Sequence, residues 1–250
     1  GLSNAKVIVS GAAAMQVAQR NWFRKIGVNI TIGYGMTENC AITTQIPGTN
    51  FNKPGSVGTV QPNVEIKIDK ETEEVLMRGP YVMAGYYNDI ETTNKTIKNG
   101  WLHTGDKGKI DADGHLYITG RVKDTFKTSK GEFIDPAKIE AKFGEVEYFG
   151  QMCVVGLGVP QPIMLVNISD LGKKLEKKEL IEKLENKLES VNSTLFNYLR
   201  ISTIVICIDE WTPQNEILTP TMKIKRGNVD KMYMGKYDEW HHTNEKVIWE

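Results

Sequence analysis

Glycines interrupt the segment 54–121 at short intervals, and this pattern limits the fold more than any other feature of the sequence. Between the glycines lie short runs in which apolar and polar residues alternate, as in 64–68 and 74–77. Such alternation is typical of strands with one buried face, and Asp113-Gly114 is a typical turn sequence. We therefore predict a small β-barrel-like subdomain, in the form of a distorted barrel or a sandwich.

An acid and an arginine flank one predicted strand of this segment. Asp106 follows a Thr-Gly pair that predicts a tight turn, and Arg121 comes fifteen residues later, after the alternating run 115–119. A strand between two charged turns can hold both side chains on one side of a pocket. On these residues alone, a surface hairpin with an ion pair is an equally good interpretation.

A strand–helix–strand unit is predicted at the start of the chain. The apolar run 6–10 ends in small residues, a helix is expected over about 15–25, and a second apolar run covers 29–33. Ligands of parallel sheets bind at the carboxyl ends of the strands, which is where the block 34–38 would lie. Its Tyr, Thr and Glu offer an aromatic face, a hydroxyl donor and an oxygen ligand for a hard cation. A half-buried tyrosine and an acid at a helix start are the alternative interpretations.

The pattern changes to α+β after a boundary predicted at 122–124. A helix is expected from Pro136, with Asp135 as its N-cap, and another over 173–192. Apolar runs predict strands at 153–156, 164–168 and 202–208. The residues after Arg226 suggest only packing on this second region.

Composition excludes several classes of function. The 31 basic and 31 acidic residues cancel, which gives no electrostatic reason to expect a nucleic-acid partner. No apolar run approaches the ~20 residues of a transmembrane helix. The three cysteines are widely spaced and predict reduced thiols in a cytoplasmic protein, and the four histidines lack the spacing of a metal site. The chain begins with Gly1 and soon enters a strand, so we expect it to be part of a longer protein.

Four blocks together resemble the adenylate-forming superfamily of acyl-CoA synthetases, luciferases and adenylation domains. They are Gly33-Tyr34-Gly35-Met36-Thr37-Glu38, Thr104-Gly105-Asp106, Lys127-Thr128-Ser129-Lys130-Gly131-Glu132-Phe133-Ile134 and Leu218-Thr219-Pro220-Thr221-Met222-Lys223-Ile224-Lys225-Arg226. The amino-acid sequences of the last two blocks are most similar to those of long-chain fatty acyl-CoA synthetases. The resemblance implies an α/β plus α+β fold. Residues 1–121 would be the end of a large domain, with an α/β piece at 1–50 and the β subdomain at 51–121, and residues 122–250 a mobile C-terminal domain.

The resemblance also implies ATP or AMP, Mg²⁺ and CoA as cofactors or substrates, and a fatty acid or other carboxylic acid as the acyl donor. It implies catalytic roles for Lys223, Thr37 and Glu38, with Glu38 as the metal ligand. Nucleotide- or CoA-binding roles are implied for Gly11, Ala12, Ala13, Tyr34, Gly35, Thr37, Asp106, Ile118, Arg121, Lys130, Gly131 and Lys223. Lys123, two positions after the arginine, would be the hinge about which the C-terminal domain rotates between half-reactions.

One expected block is absent. The Ser/Thr/Gly-rich phosphate loop of the superfamily does not occur in these 250 residues. We therefore expect that the loop and much of the acyl pocket belong to a missing N-terminal part. The protein would be cytoplasmic, with membrane association through its substrate left open. Two alternatives also remain open: an adenylating enzyme that loads a carrier protein, and a non-catalytic nucleotide-binding module.

Overall fold

The computed structural model describes residues 4–5, 7–11, 15, 17–41, 43–44, 53–144 and 146–250. They belong to two compact units, unit 1 comprising residues 1–122 and unit 2 comprising residues 123–250.

Unit 1 opens with two parallel strands joined by a helix. These elements are β1 (Ile8–Ser10), α1 (Val17–Lys25) and β2 (Ile30–Ile32). Strands β1 and β2 pair in parallel, with Ile8 opposite Ile30, as predicted. The Gly33 N–H donates to Ser10 O at 2.9 Å, so the pairing continues up to the point where the block 34–38 begins.

Unit 1 also contains a six-stranded antiparallel sheet, whose strands lie within residues 58–121. Its strands are β3 (Gly58–Thr59), β4 (Glu65–Ile68), β5 (Glu74–Arg78), β6 (Ile97–Lys98), β7 (Trp101–Ile110) and β8 (His115–Arg121). The order is β3-β8-β7-β5-β4, with β6 beside β7. Helix α2 (Ile90–Thr96) lies between β5 and β6 in the chain, and the carboxylate of its N-cap, Asp89, accepts from Thr92 N at 2.9 Å.

The barrel-like prediction for this subdomain is wrong, because the sheet is open. Among the described residues, its two edge strands β3 and β4 do not pair with each other. Closing a barrel requires strands of consistent tilt and stagger around the whole ring. The two-residue strand β3 is too short to provide a continuous second edge.

A bulge within β7 replaces the tight turn that was predicted before Asp106. Glu74 of β5 pairs with Lys107, whereas Leu76 pairs with His103, so β7 contains extra residues at 104–106. Gly105 there has φ +71°, a conformation that glycine adopts without steric cost. Bulges re-aim side chains next to functional sites, and this one sets the direction of Asp106.

Unit 2 contains a short hairpin and a mixed four-stranded sheet. The hairpin strands are β9 (Phe126–Lys127) and β10 (Phe133–Ile134), and the sheet strands are β11 (Phe149–Val155), β12 (Ile163–Ile168), β13 (Ile204–Ile206) and β14 (Val247–Trp249). Strands β11 and β12 are antiparallel, and β12, β13 and β14 are parallel. The helices are α3 (Pro136–Phe143), α4 (Lys177–Asn192), α5 (Arg226–Tyr233) and α6 (Tyr237–His242).

Both faces of this sheet are covered. The apolar face of α4, predicted from its periodicity, packs Leu180, Leu184 and Leu188 on one side together with α3. Burying each leucine side chain contributes roughly 1.5–3 kcal/mol. Helix α4 begins at Lys177 rather than near 173, because residues 172–174 form a separate 3-10 turn.

The segment after Arg226 covers the opposite face. Four large aromatic side chains are buried on this face. Tyr233, Tyr237 and Trp240 come from the helices of the segment, and Trp211 comes from the loop before it. The segment also adds β14 as the last strand of the sheet. The predicted packing of this tail on the second region is confirmed, whereas its strand β14 was not predicted.

Candidate active site

Tyr34, Asp106 and Arg121 meet in unit 1. The Tyr34 hydroxyl donates to Asp106 Oδ2 at 2.6 Å, and Arg121 Nε lies 3.0 Å from Asp106 Oδ1. Asp106 is only 7% exposed, whereas the Arg121 side chain is 59% exposed. Asp106 and Arg121 are directly opposite each other across β7 and β8, so the sheet places both side chains on one face.

The bulge holds the Asp106 carboxylate in place. Thr104 Oγ1 accepts from Asp106 N at 3.1 Å and donates to Val75 O at 2.7 Å. The Gly105 N–H donates to Glu74 Oε1 at 2.8 Å. A backbone that is fixed on both sides of the acid restricts where its carboxylate can point.

The backbone of Tyr34 is fixed in a similar way. Its N–H donates to Thr44 Oγ1 and its carbonyl accepts from Thr43 N, both at 3.1 Å. Burial and the neighbouring Asp106 carboxylate raise the pKa of the Tyr34 phenol well above its usual range. The hydroxyl therefore remains a hydrogen-bond donor at every physiological pH.

Gly35 allows the chain to fold back tightly against itself. A Cβ at this position would clash with the carbonyl carbon and oxygen of Ala41. Cys40 and Ala41 both have positive φ, and Ala41 N donates to Met36 O at 2.8 Å, which closes the turn. The role that the structure gives Gly35 is thus steric.

Thr37 and Glu38 lie in this turn, as a 3-10 segment (Thr37–Asn39). Thr37 is exposed and Glu38 is half-buried. The Tyr86 hydroxyl donates to Glu38 Oε1 at 2.7 Å, which orients the carboxylate. One such hydrogen bond leaves lone pairs on both carboxylate oxygens.

The Glu38 carboxylate is suited to bind Mg²⁺ as a single protein ligand, together with phosphate groups and water. The described residues contain no cluster of three or more His, Cys, Asp or Glu that could hold a metal by themselves. Mg²⁺ is commonly held by one or two carboxylates together with the phosphates of the substrate and water. A single oriented carboxylate is suited to that arrangement.

The remaining candidates of unit 1 are Gly11, Ala12, Ala13 and Ile118, and a Cβ at Gly11 would lie 3.4 Å from Gly33 O at the start of the block 33–38. Gly11 is exposed directly after β1, and Ala12 and Ala13 are not among the described residues. Ile118 is half-buried in β8 opposite Gly108, three residues before Arg121.

In unit 2, Lys130 and Gly131 form the exposed turn of the β9–β10 hairpin. Gly131 has φ +88°, and its N–H donates to Thr128 O at 3.0 Å. The buried Thr128 also accepts from Glu132 N through its hydroxyl at 3.2 Å. The turn is therefore well defined, with its backbone accessible at the tip.

Lys223 lies on a second tight turn of unit 2. Its N–H donates to Thr219 Oγ1 at 3.0 Å, and its carbonyl accepts from Thr219 N at 2.8 Å. Met222, just before it, has φ +62°, and Leu218 and Ile224 form an antiparallel bridge behind it. The Lys223 side chain is exposed, so a rigid turn presents a flexible ammonium group to solvent.

Some neighbours of the candidate residues were not predicted from sequence. Tyr86 belongs to none of the four motif blocks, yet its hydroxyl orients the Glu38 carboxylate. Glu74 and Thr104 fix the bulge around Asp106, and of these two only Thr104 belongs to a motif block. The sequence places Glu74 in a predicted strand and Thr104 in a predicted turn. Only the register between β5 and β7 shows that both lie beside the Asp106 bulge.

Two family models match the chain. The model described as "AMP-binding enzyme" matches residues 1–87, and the model described as "AMP-binding enzyme C-terminal domain" matches residues 123–245. The chain belongs to the AMP-binding enzyme family. The first match contains the block 33–38, and the second contains the Lys130 and Lys223 turns.

Curated relatives include fatty acyl-CoA ligases. The chain is 29% identical to fatty acyl-CoA synthetase B of Dictyostelium discoideum over 91% of this chain and 38% of the relative. It is 31% identical to long-chain-fatty-acid--CoA ligase 6 of Rattus norvegicus over 94% of this chain and 38% of the relative. The chain therefore spans about two fifths of the length of these relatives.

A solved structure shares the fold. The crystal structure of the anthranilate CoA ligase AuaEII in complex with anthranoyl-AMP matches with a TM-score of 0.72 and 25% identity, over 93% of this chain and 45% of that one. Such enzymes have mixed α/β domains, in agreement with the predicted fold class. Among the described residues, no helix is both long and apolar enough to cross a membrane.

Proposed function

We propose that the chain is the C-terminal part of an ATP-dependent acyl-CoA synthetase that acts on long-chain fatty acids. Such an enzyme forms an acyl adenylate and then an acyl-CoA, and so belongs to lipid metabolism. The observation that supports this best is the buried Asp106 carboxylate, held between the Tyr34 hydroxyl and the Arg121 guanidinium. The fatty acyl-CoA ligases among the relatives support the choice of substrate.

Asp106 is proposed to bind the ribose of ATP. A carboxylate offers about four lone-pair positions, and the hydrogen bonds from Tyr34 and Arg121 use two of them. The remaining positions can accept from the two ribose hydroxyls, at roughly 1.5–3 kcal/mol for each charged hydrogen bond. Tyr34 would stack its ring on the adenine, and Arg121 would support the ribose or phosphates. Gly11, Ala12, Ala13 and Ile118 are proposed to bind the same nucleotide.

Lys223 is proposed to stabilise the transition state of adenylation. In this step a carboxylate oxygen of the fatty acid forms a bond to the α-phosphorus of ATP, and the bond to pyrophosphate breaks. Because two anionic groups approach each other, the step needs positive charge more than it needs a base. The ammonium of Lys223, on a long and flexible side chain, would supply this charge, and Thr37 would donate to a phosphate oxygen.

Glu38 is the proposed Mg²⁺ ligand. When bound, the cation would neutralise the phosphate oxygens of ATP. The chain's own contribution is the carboxylate that the Tyr86 hydroxyl orients.

The second half-reaction is proposed to use the Lys130–Gly131 turn. The CoA thiolate attacks the acyl carbonyl carbon, and AMP leaves with the electron pair of the broken C–O bond. The accessible backbone of the turn would line the path of the pantetheine arm. Rotation about Lys123, which is exposed in the 3-10 turn 122–124, would exchange the Lys223 and Lys130 turns between the two steps.

The phosphate loop and most of the acyl pocket are proposed to come from an upstream part of the same polypeptide. The share of the relatives that the chain spans, and the absence of the loop motif from its sequence, both support this proposal. Here, the full-length protein means the chain together with that upstream part. We place it in the cytoplasm.

A pyrophosphate-release assay tests the function. The full-length protein should release pyrophosphate from ATP and Mg²⁺ only when a long-chain fatty acid is present, and addition of CoA should yield a thioester. The 250-residue chain should release none and should bind AMP weakly, in the roughly millimolar range, near −4 kcal/mol. Nucleotide binding by the full-length protein without pyrophosphate release would indicate a non-catalytic module instead. Transfer to a carrier protein but not to CoA would indicate the carrier-loading alternative.

A further inference from the structure

A partly buried cluster of charges in unit 2 surrounds Arg226, the first residue of α5. Arg226 Nε lies 3.0 Å from Asp124 Oδ2, and Arg226 Nη2 donates to Glu140 Oε1 at 2.6 Å. Arg226 Nη1 donates to Val154 O at 3.0 Å and contacts Cys153 Sγ at 3.1 Å. The Arg226 side chain is only 15% exposed.

The three segments that Arg226 joins are far apart in the chain. Asp124 ends the 3-10 turn at which unit 2 begins, Glu140 belongs to α3, and Val154 belongs to β11. The Val154 N–H also donates to Glu140 Oε1 at 2.7 Å, which ties the strand to the helix. A planar guanidinium with donors on several sides can link segments in this way, whereas a lysine offers one point charge.

The same arginine directly follows the Lys223 hairpin, defined here as residues 217–225. Lys225 N donates to Ile217 O at 2.8 Å at the base of this hairpin, and Leu218 bridges Ile224 above it. Ile217 and Leu218 are buried, whereas Lys223 is exposed near the tip. The position of the base therefore fixes the position from which Lys223 extends.

We propose that Arg226 is a positioning residue that ties the Lys223 hairpin to Asp124, so that the start of unit 2 and Lys223 move as parts of one rigid body. This inference rests on the proposed function, in which Lys223 acts only in adenylation. Because Asp124 directly follows Lys123 and pairs with Arg226, a rotation at Lys123 would then move the Lys223 hairpin by the same angle. The alternative is an ion cluster that stabilises unit 2 and has no specific effect on Lys223.

Burial by itself lowers the pKa of Arg226, but the surrounding acidic groups outweigh burial and raise the pKa above its usual range. The guanidinium therefore remains charged at every accessible pH, so the link is tested by mutation of its partner Asp124.

Asp124→Ala is the informative variant, because the Asp124 side chain is 32% exposed and its loss leaves Arg226 paired with Glu140. We expect adenylation by the full-length protein to slow about tenfold, as for loss of one charged hydrogen bond. Thioester formation from supplied acyl adenylate should change less than about twofold, within the effect of an ordinary surface substitution. Asp124→Asn, which keeps an acceptor oxygen, should recover part of the rate, and Arg226→Lys should resemble Asp124→Ala.

Glu189→Ala is the matched control. It removes the acidic partner of Lys246, an exposed ion pair of the same unit that does not involve α5. This variant should leave both half-reactions unchanged. If Asp124→Ala slows adenylation no more than Glu189→Ala, or slows both half-reactions equally, the inference is wrong.

Amide hydrogen exchange tests the same link without enzyme activity. In Asp124→Ala, residues 217–225 should exchange faster than in the unmodified protein, while the amides of α4 should not change. Unchanged exchange in 217–225 would overturn the inference even if the protein proved to be an active ligase. Faster exchange there, in a protein that releases no pyrophosphate, would support the link and contradict only the proposed function.

Discussion

The Tyr34 hydroxyl and the Asp106 carboxylate form a 2.6 Å hydrogen bond across 72 residues of sequence. It joins the turn after β2 to the bulge in β7 and places an aromatic ring beside an acid. An adenosine group offers a flat base and two hydroxyls, so the pair is suited to bind both parts of one ligand.

The first prediction separates these two contributions. Asp106→Asn should weaken AMP binding by about 10- to 100-fold, because charged hydrogen bonds to the ribose are lost. Tyr34→Phe keeps the aromatic face and should weaken binding no more than about threefold. Isothermal titration of both variants of the full-length protein measures this, with Glu65→Gln, which changes an exposed ion pair with Arg78, as control. Equal loss in Tyr34→Phe and Asp106→Asn would mean that the phenol is the ribose ligand.

The sequence predicted the parts of this site better than their arrangement. Residues 34–38 and Asp106 could be proposed from short motifs, and the parallel pair β1–β2 from apolar runs. The contact between Tyr34 and Asp106 could not be predicted, because it depends on a bulge in β7 that the alternation of apolar and polar residues does not show. The roles of these residues remain predictions, since the structure shows their geometry alone.

Non-local pairing explains the other differences. Whether a sheet closes depends on its edge strands, and β3 and β4 meet different neighbours. Likewise, the aromatic residues after Arg226 gave no periodic signal, although they cover one face of the sheet in unit 2. Local patterns predict elements, but contacts between distant segments decide how the elements assemble.

The second prediction concerns Lys223. Lys223→Ala should slow adenylation by on the order of a hundredfold or more, by analogy with the loss of one oxyanion donor. Thioester formation from supplied acyl adenylate should be far less affected. Stopped-flow measurement of each half-reaction checks this, with the exposed Lys231→Ala as control. Equal slowing of the two half-reactions would contradict the assignment.

The third prediction concerns the boundary between the units, at Val122 and Lys123. Lys123→Pro fixes φ near −65° and restricts the residue before it. We expect adenylation to survive and thioester formation to fail, because the second conformation becomes inaccessible. Lys123→Ala, which leaves the backbone free, should retain both steps. Full acyl-CoA synthesis by the proline variant would refute the hinge.

The fourth prediction concerns Gly35. Gly35→Ala places a methyl group where the Ala41 backbone already lies, so the turn 36–41 must shift. Overpacking of this kind costs about 1–3 kcal/mol, and we expect a corresponding fall in the unfolding free energy measured in urea. Gly235→Ala, where no heavy atom lies within 4 Å of the added carbon, is the control and should not destabilise. A Gly35→Ala variant as stable as this control would show that the turn is not tightly packed.

The last prediction uses the three cysteines, of which Cys40 is exposed and Cys153 and Cys207 are buried. Burial raises the pKa of the Cys207 thiol to about 12 and also raises the pKa of Cys153. At pH 8 a thiol of that pKa is ionised in only about one molecule in ten thousand, and the thiolate is the reactive form. We therefore expect a thiol reagent to label one cysteine of the native 250-residue chain and three in urea. Cys40→Ser should abolish the native labelling.

The same two thiols make stability depend on pH in a defined direction. Their pKa values are higher in the folded protein than the roughly 8.5 of an unfolded cysteine, so the folded state retains protons that the unfolded state loses. The stabilisation is complete below about pH 8.5 and is lost as the pH rises toward the folded values, by up to about 1.4 kcal/mol per pH unit for each thiol. Urea unfolding of unit 2 between pH 8 and 10 should show this fall, and Cys207→Ala should make it shallower. A free energy of unfolding that rose with pH, or rapid native labelling of Cys153, would contradict the burial of these thiols on which the sheet of unit 2 depends.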